Sequence, residues 1–281
     1  MSVAVVTGAN RGIGLAIVKQ LWLSEKFSNV YLTGRNTTAC NESLQKLKSQ
    51  FPSKSSTVLA THHLDIADKD SVLSFTKYLK ETHGGVDVLV QNAAIAFKNS
   101  ATEQFSVQAK ETLRINFYGT FDVVEKFYPL MREDGRMVLL SSYCSQSTQF
   151  RFQPNSWKNE IAKELYLVNQ DLSEDRLHHF ADLFVQHAEE GTVEKHGWPL
   201  TAYGVSKLLT NCITRIYGKK AAKDKKGVLV NCGCPGYVQT DMTGANSGAQ
   251  KVPDEGAEKI VQLALLPPGI PGPNGCYISD A

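Results

Sequence analysis

The feature that most constrains the fold is a regular alternation of short apolar runs with longer amphipathic segments. The runs are rich in β-branched residues, as strands are, and cover residues 3–6, 30–33, 58–62, 86–90, 137–140, 228–231 and 277–279. The intervening segments have helix length and carry apolar residues every three or four positions, for example Ile13, Ile17 and Leu21. Repetition of strand, helix and strand is typical of a parallel sheet with helices on both faces. We therefore predict an α/β fold with a Rossmann-type, doubly wound parallel sheet.

One stretch, residues 149–197, departs from this rhythm because it is polar, helix-prone and poor in strands. Within it, residues 157–169 and 173–190 both have the spacing of amphipathic helices. We interpret the stretch as a helical insertion into a single dinucleotide-binding catalytic domain that spans residues 1–281. A chain of 281 residues is long enough for the large core that such a domain requires.

The balance of charge and the use of cysteine narrow the classes of partner and compartment. Thirty basic and 28 acidic side chains leave a formal charge of +2, which gives no electrostatic reason to expect nucleic acid or an anionic membrane as a partner. The six cysteines lack the paired spacing of a zinc site or a disulfide framework, so we expect reduced thiols and no metal. No signal-peptide pattern and no run of bilayer-spanning length is visible, and we predict a cytoplasmic protein.

A glycine-rich turn follows the first predicted strand, where residues 7–14 read TGANRGIG directly before a helical pattern. Gly8 can make the tight turn, Gly12 lets a pyrophosphate approach the backbone, and Gly14 allows close packing of the helix. The N-terminus of that helix would face the anion. A Walker phosphate loop is excluded because no Gly-Lys-Ser/Thr follows. Taken alone, the turn is also compatible with a plain strand-to-helix connection.

This turn resembles the TGxxxGxG motif of the short-chain dehydrogenase/reductase superfamily, and further motifs of the superfamily follow in order to about residue 240. The resemblance implies a Rossmann fold that binds a nicotinamide dinucleotide. It also implies that the turn contacts the cofactor through Gly8, Asn10, Arg11, Gly12, Ile13 and Gly14.

The end of the second predicted strand indicates which dinucleotide is bound. NAD-preferring members of the superfamily carry an acid there for the ribose hydroxyls, whereas this chain has Gly34-Arg35 and no carboxylate nearby. A guanidinium suits a 2′-phosphate because charge-assisted hydrogen bonds are strong, and Arg11 adds a second cation. We therefore predict NADP(H). The alternative is that both arginines are solvated surface charges.

Other cofactor contacts are implied by the resemblance alone. Asp65 would accept a hydrogen bond from the adenine amino group, and Asn92 would hold a strand end near the ribose. The superfamily usually has NNAG where this chain has Gln91-Asn92-Ala93-Ala94, so we expect a slightly shifted cofactor at the added methyl group. Residues 234–240 resemble the PG motif, which lies beside the nicotinamide and implies contacts from Pro235, Gly236, Val238 and Thr240.

The predicted catalytic pair is Tyr203 and Lys207, which lie four residues apart and therefore on one face of a helix. That spacing is common by chance. The resemblance makes Tyr203 the proton donor and gives Lys207 two tasks, holding the cofactor ribose and lowering the pKa of Tyr203 toward the working range. Both residues are thus also predicted cofactor contacts.

Two polar residues complete the predicted catalytic set. Ser142 matches the catalytic serine of the superfamily and would donate to the substrate carbonyl oxygen. Ser141 is its rival because it lies at the same strand end. Asn116 lies in an apolar helical stretch, where the resemblance implies that it holds a water behind Lys207. Satisfaction by a local backbone carbonyl is the alternative.

The branch of the superfamily is indicated by the 61 residues that separate Ser142 from Tyr203, far more than usual. The insertion, the run GWPLTAYGVSK and the segment ALLPPG resemble the monomeric carbonyl reductases. The resemblance implies a monomer that reduces quinones, aromatic ketones and aldehydes, with prostaglandin-like or glutathione-conjugated carbonyls as further substrates. The residues that could form an apolar substrate pocket, or simply pack, are Phe97, Ser142, Tyr143, Trp198, Cys234 and Tyr237.

We therefore predict an NADPH-dependent carbonyl reductase with Tyr203 as the general acid. One alternative is a reductase dedicated to a single metabolite, such as a pterin ketone. The other is a non-catalytic NADP-sensing protein, which is less favoured because the complete set Asn116, Ser142, Tyr203 and Lys207 is present.

Overall fold

A seven-stranded parallel sheet, in the order β3-β2-β1-β4-β5-β6-β7, forms the centre of the protein. The structure is a computed structural model that describes residues 2–51, 56–98, 100–146, 161, 164–165, 172–244 and 248–279. The strands are β1 (Val3–Val6), β2 (Asn29–Gly34), β3 (Val58–His63), β4 (Val86–Gln91), β5 (Met131–Leu140), β6 (Leu229–Gly233) and β7 (Tyr277–Ile278). The predicted doubly wound parallel sheet is confirmed.

Helices cover both faces of this sheet. The α-helices among the described residues are α1 (Gly12–Leu23), α2 (Thr37–Gln50), α3 (Lys69–His83), α4 (Phe105–Leu113), α5 (Thr120–Phe127), α6 (Glu174–Glu189), α7 (Ala202–Asp224) and α8 (Pro253–Ala264). A π-helical turn, Arg114–Gly119, joins α4 to α5. Consecutive strand residues point to opposite faces, so Val3 and Val5 join one hydrophobic core while Ala4 and Val6 join the other.

Strand β5 begins six residues earlier than predicted, at Met131. The added half is polar, which concealed it in the sequence, and its pairing with β4 shifts register between Val86 and Val88. Asp134 adopts a left-handed conformation there, with φ of 55°. The buried guanidinium of Arg136 donates to several backbone carbonyls, including those of Asp134 and Gly227.

The described part of the predicted insertion includes helix α6, which begins and ends within one residue of the second predicted helix. Its apolar side chains, Leu177, Phe180 and Phe184, are fully buried in the same core as α4 and α7. The edge of the His178 ring lies against Phe121, with ring centroids 4.3 Å apart. Most of the first predicted insertion helix, residues 157–169, lies outside the described residues.

The order of the strands reverses at β1, which lies between β2 and β4. A ligand crevice is expected at such a reversal, outside the carboxyl ends of the strands. The buried hydroxyl of Thr7 joins the two strands there, because it donates to Gln91 Oε1 at 2.7 Å. It also accepts from the backbone N–H groups of Asn92 and Ala93, at 3.1 and 3.0 Å. Thr7 thereby fixes the geometry of the crevice floor.

We predict that Thr7→Val lowers the free energy of unfolding by about 1–3 kcal/mol, because the isosteric side chain leaves buried polar partners without the hydroxyl. The hydroxyl of the matched control residue Thr76 bonds only to carbonyls of its own helix, those of Val72 and Leu73. Thr76→Val should change the stability by less than about 1 kcal/mol. Urea unfolding measures the stability of both variants. Equal losses in the free energy of unfolding would contradict the role assigned to Thr7.

Candidate active site

A cleft of about 590 Å³ lies at the carboxyl edge of the sheet, where the strand order reverses at β1. Its walls come from the glycine turn after β1 and from the segments after β2, β3, β4 and β6. It brings together ten of the predicted cofactor residues: Gly8, Asn10, Arg11, Gly12, Ile13, Gly14, Arg35, Asp65, Asn92 and Thr240. Apolar residues that sequence reasoning missed, Leu64, Ile66 and Ile115, line the same cleft. Leu64 and Ile66 are the sequence neighbours of Asp65, so their position in the cleft could have been predicted from that of Asp65.

The shape of the glycine turn fits a pyrophosphate. Gly12 has φ of 57°, and a Cβ there would point across to Thr240, 3.5 Å from its Cγ2. Helix α1 begins at Gly12, and its N-cap residue Arg11 supplies no side-chain cap. The N–H groups of its first turn are therefore left for an anion, which the positive end of the helix dipole also favours.

The two arginines of the cleft differ in their contacts. Arg11 forms an ion pair with Asp241, at 2.8 Å, and both side chains are more than 70% exposed. Such exposed pairs are worth roughly 1 kcal/mol or less, so a phosphate can exchange with the Asp241 carboxylate. Arg35 is exposed and forms no ion pair with any residue in the described part of the chain. Sequence reasoning missed Asp241 because its partner lies 230 residues away.

Asn92 ties the glycine turn to β4. Its side-chain amide donates to the carbonyls of Thr7 and Gly8, both at 2.9 Å. Asp65 keeps its carboxylate at the cleft, and its Oδ1 accepts from the N–H of Ala67 at 3.0 Å. Both predicted residues therefore lie at the cleft, although the contacts of Asn92 are with the turn itself.

Helix α7 carries Tyr203 and Lys207 to the end of β5. Thr201 caps the helix by accepting from the N–H of Gly204 at 3.1 Å. A Cβ on Gly204 would lie 3.0 Å from the carbonyl oxygen of Cys144, so glycine permits the helix to approach the turn after β5. Lys207 Nζ lies 5.6 Å from the centroid of the Tyr203 ring and donates to the carbonyl of Leu140 at 2.7 Å.

Burial dominates the acid–base properties of this pair. It raises the pKa of Tyr203 well above the ordinary value, the neighbouring Cys144 raises it further, and the hydrogen bond from Ser142 opposes the shift. Burial also lowers the pKa of Lys207 to about 8. The prediction that Lys207 lowers the pKa of Tyr203 is wrong for this arrangement, because the ammonium is directed to the Leu140 carbonyl and desolvation outweighs other influences.

The two serines after β5 have different surroundings. The Ser142 side chain lies close enough to Tyr203 to lower its pKa, and it accepts from the N–H of Cys144 at 3.2 Å. Ser141 is only 2% exposed and donates to Asn211 Oδ1 at 2.5 Å. Ser142 therefore faces the tyrosine hydroxyl, whereas Ser141 faces the protein interior.

Asn116 lies in the π-helical turn and is only 1% exposed. Its side-chain amide forms two hydrogen bonds with the backbone of Ile95: it accepts from the N–H and donates to the carbonyl, both at 2.8 Å. It also donates to Ser206 Oγ at 3.1 Å, next to Lys207. The alternative of a local backbone carbonyl is wrong, because Asn116 links the segment after β4 to the catalytic helix.

The predicted substrate residues differ in exposure. Tyr143 and Tyr237 are 44% and 55% exposed, Phe97 is half-buried, and Cys234 is buried. Trp198 is buried, its N–H donates to His187 Nδ1 at 3.1 Å, and its ring packs edge-on against Phe184. For Trp198, these contacts indicate a packing role in place of the predicted substrate contact.

The PG segment contributes less to the cleft than predicted. Pro235 and Val238 are buried, and Gly236 is exposed with φ of 81°. None of these three lines the cleft, whereas Thr240, with the next two residues along the described chain, does. Tyr203 and Lys207 likewise lie outside the lining residues, beside the end of β5.

A histidine cluster lies between α6 and α7, where ligand atoms of His187, Glu190 and His196 are all within 4.8 Å of one another. The two imidazole rings stack with centroids 3.7 Å apart and planes 5° from parallel, so their in-plane lone pairs do not converge. The Trp198 N–H occupies Nδ1 of His187, which leaves the proton of the neutral ring on Nε2. The cluster is therefore a pair of stacked histidines, one of which accepts a hydrogen bond from Trp198. We continue to predict that the protein holds no metal.

Comparison with known proteins supports the motifs. Residues 2–154 match the family model described as short chain dehydrogenase. Carbonyl reductase (NADPH) 1 of Homo sapiens is 39% identical over 281 residues, which cover 99% of this chain and 96% of the human protein. Salutaridine reductase from Papaver somniferum has a TM-score of 0.83 and 29% identity, over the full length of both chains. Menthone neomenthol reductase from Mentha piperita has a TM-score of 0.79 and 28% identity, over 99% of this chain and 98% of its own.

The hydrophobicity of the helices bears on membrane association. In the part of the chain that the structure describes, no helix is both long enough and apolar enough to span a bilayer.

The pKa of Lys207 generates a prediction about stability. The ordinary pKa is 10.5 and the folded-state pKa is about 8, so between these values the unfolded chain retains a proton that the folded protein has released. Stability therefore rises with pH across this window. The variant Lys207→Met lacks this titrating group. Between pH 7 and 10, the free energy of unfolding of wild type should therefore rise by roughly 1–3 kcal/mol relative to that of the variant. Urea unfolding at four pH values tests it, and parallel curves for the two proteins would contradict the assigned pKa.

Proposed function

The chain belongs to the short-chain dehydrogenase family, and on that premise we propose that it is an NADPH-dependent carbonyl reductase. The observation that carries the proposal is the grouping of Tyr203, Ser142 and Lys207 at the end of β5, where Lys207 Nζ lies 5.6 Å from the Tyr203 ring and Ser142 lies close enough to lower the pKa of Tyr203. The name of the human relative, carbonyl reductase (NADPH) 1, supports both the cofactor and the reaction.

We propose that NADP(H) lies in the cleft, with its pyrophosphate on the glycine turn and its 2′-phosphate between Arg11 and Arg35. Asp65 accepts from the adenine amino group, and Asn92 holds the wall near the ribose. After β6, Thr240 would contact the nicotinamide end, and Pro235, Gly236 and Val238 would fix the turn beside it. When bound, NADPH supplies a hydride to the substrate carbonyl carbon.

The side chains around the reacting carbonyl have separate tasks. Tyr203 donates a proton to the carbonyl oxygen, and its raised pKa keeps the proton in place until the oxygen becomes basic. Ser142 donates a hydrogen bond to the same oxygen and stabilises the negative charge that develops there. Lys207 would turn from the Leu140 carbonyl to hold the cofactor ribose, and Asn116 would hold a water behind it.

We propose quinones, aromatic ketones and aldehydes as substrates, reduced to hydroquinones or alcohols. The support is chemical: Tyr143 and Tyr237 expose aromatic side chains, and Phe97 and Cys234 are the other predicted apolar contacts for such substrates. The superfamily branch usually has tryptophan where this chain has Tyr237, so we expect a substrate pocket of different shape and somewhat greater polarity.

We further propose a cytoplasmic monomer that forms one catalytic domain. The resemblance to the monomeric carbonyl reductases supports the monomer, as does the apolar face of α6, which is buried in this chain's own core with α4 and α7 and so is not left for a partner. Sedimentation of the purified protein should give a mass near 30.9 kDa, and a stable dimer would overturn the proposal.

The reaction is tested by Tyr203→Phe with menadione as substrate and NADPH absorbance as the signal. We expect the variant to lose roughly 10²–10⁴-fold in kcat, because the general acid is removed, while its Kd for NADPH stays within about twofold. A variant that retains near-normal turnover would exclude Tyr203 as the donor. If wild type consumes no NADPH over a panel of quinones, ketones and aldehydes, a nucleotide-sensing protein replaces the proposed enzyme.

The cofactor preference is tested by Arg35→Ala. Loss of a charge-assisted contact to the 2′-phosphate should weaken NADPH binding roughly 10- to 100-fold and change NADH binding less than about twofold. The matched control is Arg176→Ala, which removes an arginine paired with Glu164 outside the cleft and should leave both affinities unchanged. If the affinities for NADPH and NADH fall equally, Arg35 does not bind the 2′-phosphate.

A further inference from the structure

We infer that Asn211 is a positioning residue that holds Ser142 in register with Tyr203, acting through Ser145. The inference deepens the proposed function and rests on the role proposed there for Ser142. Asn211 lies on α7 at the third position of the series Tyr203, Lys207, Asn211, with successive members four residues apart. The three side chains therefore share one face of the helix.

Both ends of the Asn211 amide are occupied by the turn that follows β5. Oδ1 accepts from the Ser141 hydroxyl at 2.5 Å, and Nδ2 donates to Ser145 Oγ at 2.9 Å. The Ser145 hydroxyl in turn donates to the backbone carbonyl of Ser142 at 2.5 Å. One side chain on the catalytic helix thus fixes the residue before Ser142 directly and Ser142 itself through one intermediate.

The partners of Asn211 are shielded from water, while Asn211 itself is partly buried. Ser141 is 2% exposed and Ser145 is 1% exposed, while the buried Cys232 thiol approaches Asn211 Oδ1 at 3.3 Å. Every hydroxyl and amide group in a network of this kind needs its partner, because an unpaired polar group is penalised more in a low-dielectric interior. The network therefore has one preferred arrangement and holds the backbone of Ser142 there.

The contribution of Asn211 becomes larger when Lys207 acts in catalysis. In the structure, hydrogen bonds join α7 to the end of β5 at three places: Lys207 Nζ at the Leu140 carbonyl, the Lys207 carbonyl at the Ser141 hydroxyl, 3.5 Å away, and Asn211 at Ser141 and, through Ser145, at Ser142. If Lys207 Nζ moves to the cofactor ribose, the contact with Leu140 is released. The Asn211 network then remains to hold Ser142 opposite Tyr203.

Three variants test the inference. Asn211→Leu is close in size and removes both hydrogen bonds, and we expect it to lower kcat about tenfold while the Kd for NADPH stays within about twofold. Thr210→Val is the control, since Thr210 is the neighbouring residue on the same helix, is more deeply buried than Asn211, and its hydroxyl donates to the carbonyl of Ser206. We expect it to keep the wild-type kcat. Asn211→Ser, too short to span both partners, serves if the leucine variant does not fold.

A double-mutant cycle separates positioning from general support of the fold. Because Asn211 acts through Ser142, Asn211→Leu should reduce kcat less than about twofold in a Ser142→Ala background. If the tenfold loss recurs in that background, or if Asn211→Leu retains wild-type kcat, the inference is overturned. If Ser142→Ala alone retains full activity, the proposed role of Ser142 fails and the inference fails with it. Tyr203→Phe tests the reaction independently of this result.

Discussion

The reversal of strand order at β1 is the constraint on which the rest of the site depends. Parallel strands carry their connections to the same edge, and at the reversal the segments after β1 and β4 diverge to opposite faces of the sheet, which leaves a crevice. Thr7 and Asn92 hold the two walls together with buried hydrogen bonds, so the cleft is formed by the backbone before any ligand arrives. Because β1 ends at this crevice, the glycine turn and the N-terminus of α1 point their N–H groups into it, where they can bind an anion.

The proposed catalytic groups depend on a second junction, where α7 packs on the end of β5. Burial there works against stability, since it lowers the pKa of Lys207 and raises that of Tyr203. A buried ammonium beside a buried phenol is maintained by specific partners, the Leu140 carbonyl and the Ser142 hydroxyl. Such arrangements are typical of functional sites, where stability is reduced in favour of chemistry. The polar network around Asn211 extends this junction one turn further along the helix.

The sequence was informative where local patterns decide structure. The period of the apolar runs located all seven strands, and the TGANRGIG turn located the cleft, because both depend on residues close together in the chain. The polar half of β5 was missed because its pairing with β4, and not its hydrophobicity, makes it a strand. Trp198 was assigned to the substrate, yet its partner on α6 is a histidine that no local pattern marks. The direction of the Tyr203 pKa was missed because desolvation depends on the whole surrounding structure.

The central claim is that this cleft delivers hydride from NADPH directly to a carbonyl carbon held by Ser142 and Tyr203. The most direct test uses NADPH with deuterium at both C4 positions, an aromatic ketone as substrate, and mass spectrometry of the alcohol. We predict one deuterium on the carbinol carbon of every product molecule. An alcohol without deuterium at that carbon, or no alcohol at all with any carbonyl tested, would contradict the account.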